Sequence, residues 1–598
     1  PFGLSVDATG NIYVADAFND RIQRWSPGAT TGVTVAGGNG YGPGADQLSY
    51  PYGVTVDATG NIYVADLDNH RIQRWAPGAI TGVTVAGGNG SGSGANQLNY
   101  PTGVTVDGNG NIYIADAENH RIQRWAQTIS NDSLPNAAAG SYTVSVTNSL
   151  GCSVTSDPYV ISVINTALNG TYTINSGLPV SCTNYISMAA AISDLNIKGV
   201  SGNVLFNVAS GHTETAPAGG LVINYCALNA VLKPSATQTV TFQGGAVAAL
   251  ITAPVGTSTS VDGIVKLVGA DYISFNKIDL QESVANVDVT TQMEWGYALL
   301  KCDGNNGSGH NTISNCSVTL NKTNQLSRGI YSGNHTGTSV ANLTYTGTAG
   351  DAIQVDSSRN GYNSLLSNII QNVYSAIALS GNTATSGALS LNDTMNVVGN
   401  TGQGNIISNY GGSSAAAIAI NLSGQRNTKV FGNSISGGVG NTSTVTGIQL
   451  QSGLWAEVKD NTVSLSSNAT TSSVIGITCG LSGGSVAFPN TVTITGNTIQ
   501  DINYTTATTG QLIGLTSSSG GTGSSITISN NTVQDNTLTG TGTLIGIVNT
   551  ATSGTLVMNN NEVFGNVKSG TGTMTLLDAG SMGTTNTTTI SNNTVHDN

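Results

Sequence analysis

Residues 61–75 read NIYVADLDNHRIQRW, and the phrase returns as NIYVADAFNDRIQRW at 11–25 and NIYIADAENHRIQRW at 111–125. PFGLSVDATG, PYGVTVDATG and PTGVTVDGNG open at 1, 51 and 101, one step every 50 residues. A fixed period of this length marks a repeat architecture. Within the second copy GVTVD, NIYVAD, RIQRWAPG and GVTVAGG are four short β-rich runs, separated by turn signals at ATGN and LDNH. Four strands per repeat is the layout of a propeller blade.

The copies also weigh the polar residues. Asp16, Asp66 and Asp116 fall where a strand gives way to a turn, a place for a carboxylate that accepts backbone N–H groups. Arg21, Arg71 and Arg121 repeat without change, as do Trp25, Trp75 and Trp125, whereas His70 and His120 are answered by Asp20. A catalytic group is needed once, so groups present in every copy are assigned to blade chemistry.

The consensus PxGVxVDxxGNIYVADxxNHRIQRW closely resembles the NHL repeat of β-propellers, and it covers residues 1–126. The resemblance implies a platform that binds proteins, glycans or nucleic acid, and a minority of NHL propellers are enzymes. Propellers close with about four to eight blades, so three copies imply further blades before Pro1, with a ring shared by two chains as the alternative.

The period is lost after Gln127. GSYTVSVTNSLGCSVTSDPYVISV (140–163) alternates like two antiparallel strands and resembles the last hairpin of a PKD- or immunoglobulin-like module, so 127–164 is read as a β spacer. In NYISMAAAISDLNIKGV, residues Met188, Ile192 and Leu195 recur at helical spacing. This helix and the following VLFNVASGHTE resemble the N-terminal cap of pectin-lyase-like right-handed parallel β-helices. The cap and first coils are assigned to 165–260, and the β-helix proper to 261–598 and beyond.

Across that second region GNIISNY, TKVFGNSISG, AEVKDNTVSL, VTITGNTIQD, SITISNNTVQD, LVMNNNEVFG and TTISNNTVHD align on Asn405, Asn433, Asn461, Asn497, Asn531, Asn561 and Asn593. Stacked coils bury apolar residues of one turn against the next, and an Asn repeated at one corner forms a hydrogen-bonded ladder. The fold class is therefore all-β: a partial propeller, a short spacer and a right-handed parallel β-helix. Residues 170–330 resemble β-helix domains of bacterial surface proteins exported by the type IX route, which implies a secreted or cell-surface setting.

Composition bounds the function. Of 598 residues only 8% are charged, 38% are apolar, and the net charge is −13. A nucleic-acid or anionic-membrane partner needs clustered Lys and Arg, and no basic stripe is present. No apolar run is long enough to span a membrane. Cys182 with Cys226 and Cys302 with Cys316 are candidate disulfides, with unpaired buried thiols as the alternative. DSL at 132–134 and DTM at 393–395 match the short O-glycosylation sequon of type IX exporters, which offers Ser133 and Thr394 as sugar acceptors.

β-Helix enzymes acting on polysaccharides need paired carboxylates, or Ca²⁺ with a basic residue. The acids Asp262, Asp271, Asp279, Glu282, Glu294, Asp303, Asp351 and Asp356 are scattered, and the stretch 271–303 with Lys277, Lys301 and nearby His310 is the place to look. No pair recurs at one coil spacing, and no Ca²⁺ motif or other cofactor signature is present. Tyr297, Tyr331, Tyr345, Tyr362, Tyr374 and Tyr410 do not recur at a coil period, so they read as core filling or scattered exposure rather than a glycan strip. The expectation is a non-enzymatic section of a large extracellular surface protein, structural and adhesive. Its partners are glycans, surface proteins of other cells, or copies of itself. A polysaccharide lyase or glycoside hydrolase and an extracellular filament subunit are the alternatives.

Overall fold

The computed structural model describes residues 1–108, 110–125, 140–142, 145–147, 153–155, 159–161, 167–228, 230–256, 261–343, 359–381, 392–481, 489–519, 523–551, 554–580 and 587–598. The chain divides into two compact units, Pro1–Val163 and Ile164–Asn598.

In the first unit the NIYVAD and RIQRW runs are neighbouring antiparallel strands of a blade. The second copy gives Pro51–Val56, Ile62–Asp66, Arg71–Trp75 and Val83–Gly87 in sequential order, and the first copy gives the same four. Three strands of the third copy are described, ending at Trp125. Asp66 faces Arg71 across the Ile62–Asp66/Arg71–Trp75 hairpin, and the ion pair measures 2.7 Å with Asp66 fully buried. The remaining Arg71 donors reach the carbonyls of Pro43 (2.8 Å), Gly44 (3.0 Å) and Gln47 (3.1 Å), while the other Asp66 oxygen accepts the Ser49 N–H at 2.6 Å. The pair therefore clamps the connection between consecutive blades.

Arg121 and Asp116 repeat this arrangement on Ser93, Gly94, Gln97 and Asn99. Arg21 and Asp16 form the same pair at 2.9 Å in a more open setting. Burial pushes the Asp66 carboxyl up. At Asp16 and Asp116 burial is outweighed by hydrogen bonds, from Arg21 and Asn19 in one and from Asn119 and the Asn99 backbone in the other, and both carboxyls stay below the usual range. Trp75 is buried, and Trp25 and Trp125 are half-buried.

The structure also explains why His and Asp exchange at one blade position. Asp20, His70 and His120 all adopt a left-handed backbone, with φ of 49°, 51° and 50°. Asp20 Oδ1 accepts the Tyr50 N–H at 3.0 Å, and His70 Nδ1 accepts the Tyr100 N–H at 3.2 Å. Either side chain supplies the acceptor, so the imidazole is interchangeable.

In the spacer, Gly140–Tyr142 pairs antiparallel with Tyr159–Ile161, and Ser145–Thr147 with Ser153–Thr155. The rest of 127–164, including Ser133, lies outside the described residues.

The second unit opens on the strand Leu168–Ile174, parallel to Val200–Val208, and the helix Met188–Lys198. Ser187 caps the helix by accepting the Ala190 N–H at 3.1 Å, and Glu214 accepts the N–H groups of Met188 (2.6 Å) and Ala189 (3.0 Å). An anionic acceptor there satisfies free donors and favours the helix dipole. Met188, Ile192 and Leu195 are buried, as the helical spacing predicts.

The chain then winds as a right-handed parallel β-helix with three faces. One coil runs through Gly263–Val268 on face A, Ile273–Asn276 on face B and Ile278–Gln281 on face C. Among the described residues face C is a 12-stranded sheet ending at Thr594–His596, and faces A and B join in a 24-stranded sheet. The junction is physical: Ala417–Phe431 and Val445–Lys459 are 15-residue strands that run through the corner without a break. Inside, equivalent residues stack coil on coil, as in Phe206, Phe242 and Phe275 with ring centroids 4.8 and 5.2 Å apart.

The seven aligned asparagines occupy the corner between faces B and C. Asn405 donates its N–H (3.0 Å) and Nδ2 (2.9 Å) to Asn433 Oδ1, and the pattern continues to Asn593. The ladder starts one coil earlier, at Asn368. Cys316 holds the position before it and donates its N–H to Asn368 Oδ1 at 3.1 Å. A second ladder, Asn536, Asn566 and Asn598, follows face C.

Two sequence expectations are corrected here. The disulfide joins Cys226 to Cys302, while Cys182 is free and exposed and Cys316 is free and buried. Cys226 and Cys302 both follow face A strands, and Gly269 between them has no Cβ where Cys302 Sγ passes. Cys316 lies at the B–C corner facing inward, so its nearness in sequence to Cys302 counts for nothing. Thr394 is the second correction: it is 4% exposed in the strand Asp393–Thr394, where a glycan has no room. Reducing the disulfide, which spans 76 residues, is expected to destabilise the β-helix by about 2–4 kcal/mol, read as a lower unfolding midpoint with than without reductant.

Candidate functional site

The acidic stretch singled out in the sequence is built into backbone hydrogen bonding, between coils at Asp271, Asp279 and Glu294 and within a loop at Glu282 and Asp303. Asp271 accepts the Gly309 N–H at 2.6 Å, Asp279 the Ser317 N–H at 2.7 Å and Glu282 the Met293 N–H at 2.7 Å. Glu294 accepts the Asp262 N–H at 3.0 Å and is 2% exposed. Burial pushes Asp271 up to about 6 and Glu294 up to about 7. Lys277 takes a left-handed corner (φ 56°), and Lys301 is buried with burial holding its ammonium below the usual lysine range. Asp303 sits in a turn where its carboxylate accepts the Asn305 N–H at 2.7 Å. Asp351 and Asp356 lie outside the described residues. Among the described residues, no three His, Cys, Asp or Glu side chains are arranged to hold a metal.

The raised Glu294 carboxyl makes a signed prediction. Its folded pKa of about 7 lies above the ordinary glutamate value of 4.5, so the folded state holds the proton longer and stability falls as pH rises through that window. At about 1.4 kcal/mol per pH unit the loss approaches about 3 kcal/mol above pH 7. Glu294→Gln is expected to match the native chain at pH 4.5 and exceed it at pH 8, as measured by urea unfolding.

The outward side chains at the A–B corner form a different kind of surface. Tyr272, His310, Tyr362, Met395, Asn427 and Trp455 occupy equivalent positions on consecutive coils, all with φ between 53° and 58°. Tyr272, His310 and Tyr362 stack with centroids 4.5 Å apart at each step. Behind them runs an inward ladder: Asn311 Oδ1 accepts the Ile273 N–H, Asn363 that of Asn311, and Asn396 that of Asn363, each at 2.9 Å. The next coil places Thr428 there, buried, with its hydroxyl unpartnered.

Where this ladder stops, the surface opens into a groove of about 380 Å³ lined by Met395, Asn427, Lys429, Trp455, Glu457 and Thr493, among others. The short Asn427 lies between Met395 and Trp455 in the column, which leaves a depression one coil deep. The volume falls within the range of small-ligand sites. Trp455 is held twice: its Nε1 donates to the Pro489 carbonyl at 2.9 Å, and the Arg426 guanidinium lies 4.5 Å above the ring. Lys429 and Glu457 are register partners on adjacent strands, and neither makes an ion pair among the described residues. An indole plate beside one donor cation, one acceptor carboxylate and Thr hydroxyls suits a polyol with an apolar ring face.

Sequence reasoning passed over Trp455, Arg426, Lys429 and Glu457. A signal was present, because WAEVKD (455–460) sets three charged residues after a Trp in a chain only 8% charged. Tyr362 belongs to the corner column, whereas Tyr297 and Tyr410 are fully buried; Tyr345 lies outside the described residues.

No curated protein matches the sequence. An auxiliary nutrient binding protein from Bacteroides thetaiotaomicron is 24% identical over 20% of this chain, which spans 36% of that protein, with a TM-score of 0.18. A GH136 lacto-N-biosidase from Eubacterium ramulus is 10% identical over 72% of this chain and 68% of its own, with a TM-score of 0.36. The surface protein and adhesin PfbA of Streptococcus pneumoniae is 12% identical over 64% of this chain and 94% of its own, with a TM-score of 0.28. The NHL repeat family matches residues 48–75 and 98–125, which hold the hairpins closed by Asp66 with Arg71 and Asp116 with Arg121.

Proposed function

We propose that the chain is a section of an extracellular bacterial surface protein, structural and adhesive, whose β-helix binds glycans and whose NHL blades offer a second binding platform. The observation that carries this reading is the groove at Trp455, where a fixed indole meets Lys429, Glu457 and Thr493. The low charge and the Thr- and Asn-rich composition suit polar contact with glycans. Export by the type IX route belongs to the proposal, from the resemblance of residues 170–330. Titration of the full chain against a glycan panel is expected to find a binder that Trp455→Ala weakens at least tenfold. Equal binding by the variant, or no binder at all, would overturn it.

A second reading, a polysaccharide-degrading enzyme, is favoured by the Glu294 carboxyl, which titrates near pH 7 as general acids do. Glycoside hydrolysis needs two carboxylates that reach one sugar bond, and Glu294 and Asp262 are 2% and 4% exposed. Release of reducing ends from the same panel, lost in Glu294→Gln, would establish that reading instead.

A further inference from the structure

We infer that the groove at Trp455 holds one stretch of an uncharged polysaccharide chain lying along the β-helix axis, over the A–B corner column. This rests on the glycan-binding reading and adds the charge class and the direction of the ligand. Parallel coils repeat every ~4.8 Å, so residues at equivalent positions form straight columns along the axis. The groove is made of two such columns. Met395, Asn427, Trp455 and Thr491 are successive corner residues, and Lys429, Glu457 and Thr493 are successive outward residues two places further along each strand. Its long dimension therefore follows the axis, over four coils or ~14 Å at that repeat.

Both columns continue past the groove. Beyond Glu457 and Thr493 the outward column reaches Thr527, and before Lys429 it comes from Val397 and Ser364. Outside Lys429 and Glu457 these positions are uncharged, so nothing along the track opposes a neutral chain. On the outward column of the groove the charges alternate, Lys429 on one coil and Glu457 on the next, while the Arg426 guanidinium is engaged on the Trp455 ring. An anionic chain would meet the carboxylate at every passage, and a cationic chain the ammonium. A neutral sugar chain satisfies both, because its hydroxyls accept from Lys429 and donate to Glu457. The indole held by Pro489 and Arg426 is preorganised, which limits the ordering lost on binding.

The test uses the full chain and three linear oligosaccharide series: neutral cello- and manno-oligosaccharides from two to eight units, and oligogalacturonates of the same lengths. Calorimetric titration is expected to show neutral affinity rising at least tenfold from dimer to hexamer. Trp455→Ala is expected to abolish binding at every length. Thr527→Glu, on the track but outside the groove, should weaken the hexamer about fivefold and leave the trimer unchanged. Tighter Trp455-dependent binding of oligogalacturonates would overturn the neutral class while leaving the glycan reading intact. Affinity that saturates at the dimer, or a hexamer indifferent to Thr527→Glu, would overturn the axial direction. Failure of all three series to bind would overturn the inference, and binding by Trp455→Ala at native strength would overturn the glycan site itself.

Discussion

Asn461→Leu is expected to destabilise the β-helix by about 4 kcal/mol, with the loss concentrated in the coils on either side. Asn461 is fully buried, and Leu has the same branching with bulkier methyl ends, so the change removes every side-chain hydrogen bond and adds some overpacking. Its Oδ1 accepts the N–H (3.0 Å) and Nδ2 (2.9 Å) of Asn433, and its own Nδ2 donates to the Val430 carbonyl (2.8 Å) and to Asn497 Oδ1 (2.9 Å). Each buried group left without a partner costs about 1–3 kcal/mol, and at least two donors of Asn433 are orphaned. Amide exchange at Asn433 should accelerate in step with the lower urea midpoint. Asn461→Asp keeps the acceptor and loses the donor, so it should be milder at pH 4 than at pH 7, where the buried carboxylate must ionise. Unchanged exchange at Asn433 in the Leu variant would mean that the ladder only decorates the corner.

In the propeller unit, Arg71→Met is expected to cost about 3–5 kcal/mol, because it leaves a buried carboxylate without its partner. Asp66 is fully buried, and Arg71 also holds the carbonyls of Pro43, Gly44 and Gln47. Burial already raises the Asp66 carboxyl, and removing the cation raises it further. A folded pKa above the unfolded one gives stability that is lost as pH rises, so the variant should recover toward pH 4. Arg21→Met is the control: the Arg21 side chain is 34% exposed and that of Asp16 21%, and an open pair contributes about 1 kcal/mol or less. Thermal unfolding of both variants would check the contrast, and equal losses would refute the clamp.

The parts of the fold legible in the sequence are those with a strict local pattern. The blade strands follow from three near-identical copies, the cap helix from Met188, Ile192 and Leu195, and the ladder from an Asn that opens each face C strand. The corner column was not legible, because the loops between coils vary. Successive inward positions behind it, Ile273, Asn311, Asn363 and Asn396, are separated by 38, 52 and 33 residues, so Tyr272, His310 and Tyr362 share no period on paper. The disulfide was hidden for the same reason: Cys226 and Cys302 are 76 residues apart and 5.4 Å between Cα atoms. Carboxylates misled in the opposite sense. Asp271, Asp279 and Glu294 look like a catalytic cluster until each is seen accepting a backbone N–H from another coil.

A crystal structure of the full chain with a neutral hexasaccharide tests the glycan site at the A–B corner. An intact sugar chain is expected along the column, with one ring on Trp455 and hydroxyls on Lys429 and Glu457. A sugar seated instead on the face formed by Gly263–Val268, Trp295–Leu300 and Arg328–Ser332, or one found cleaved, would contradict it.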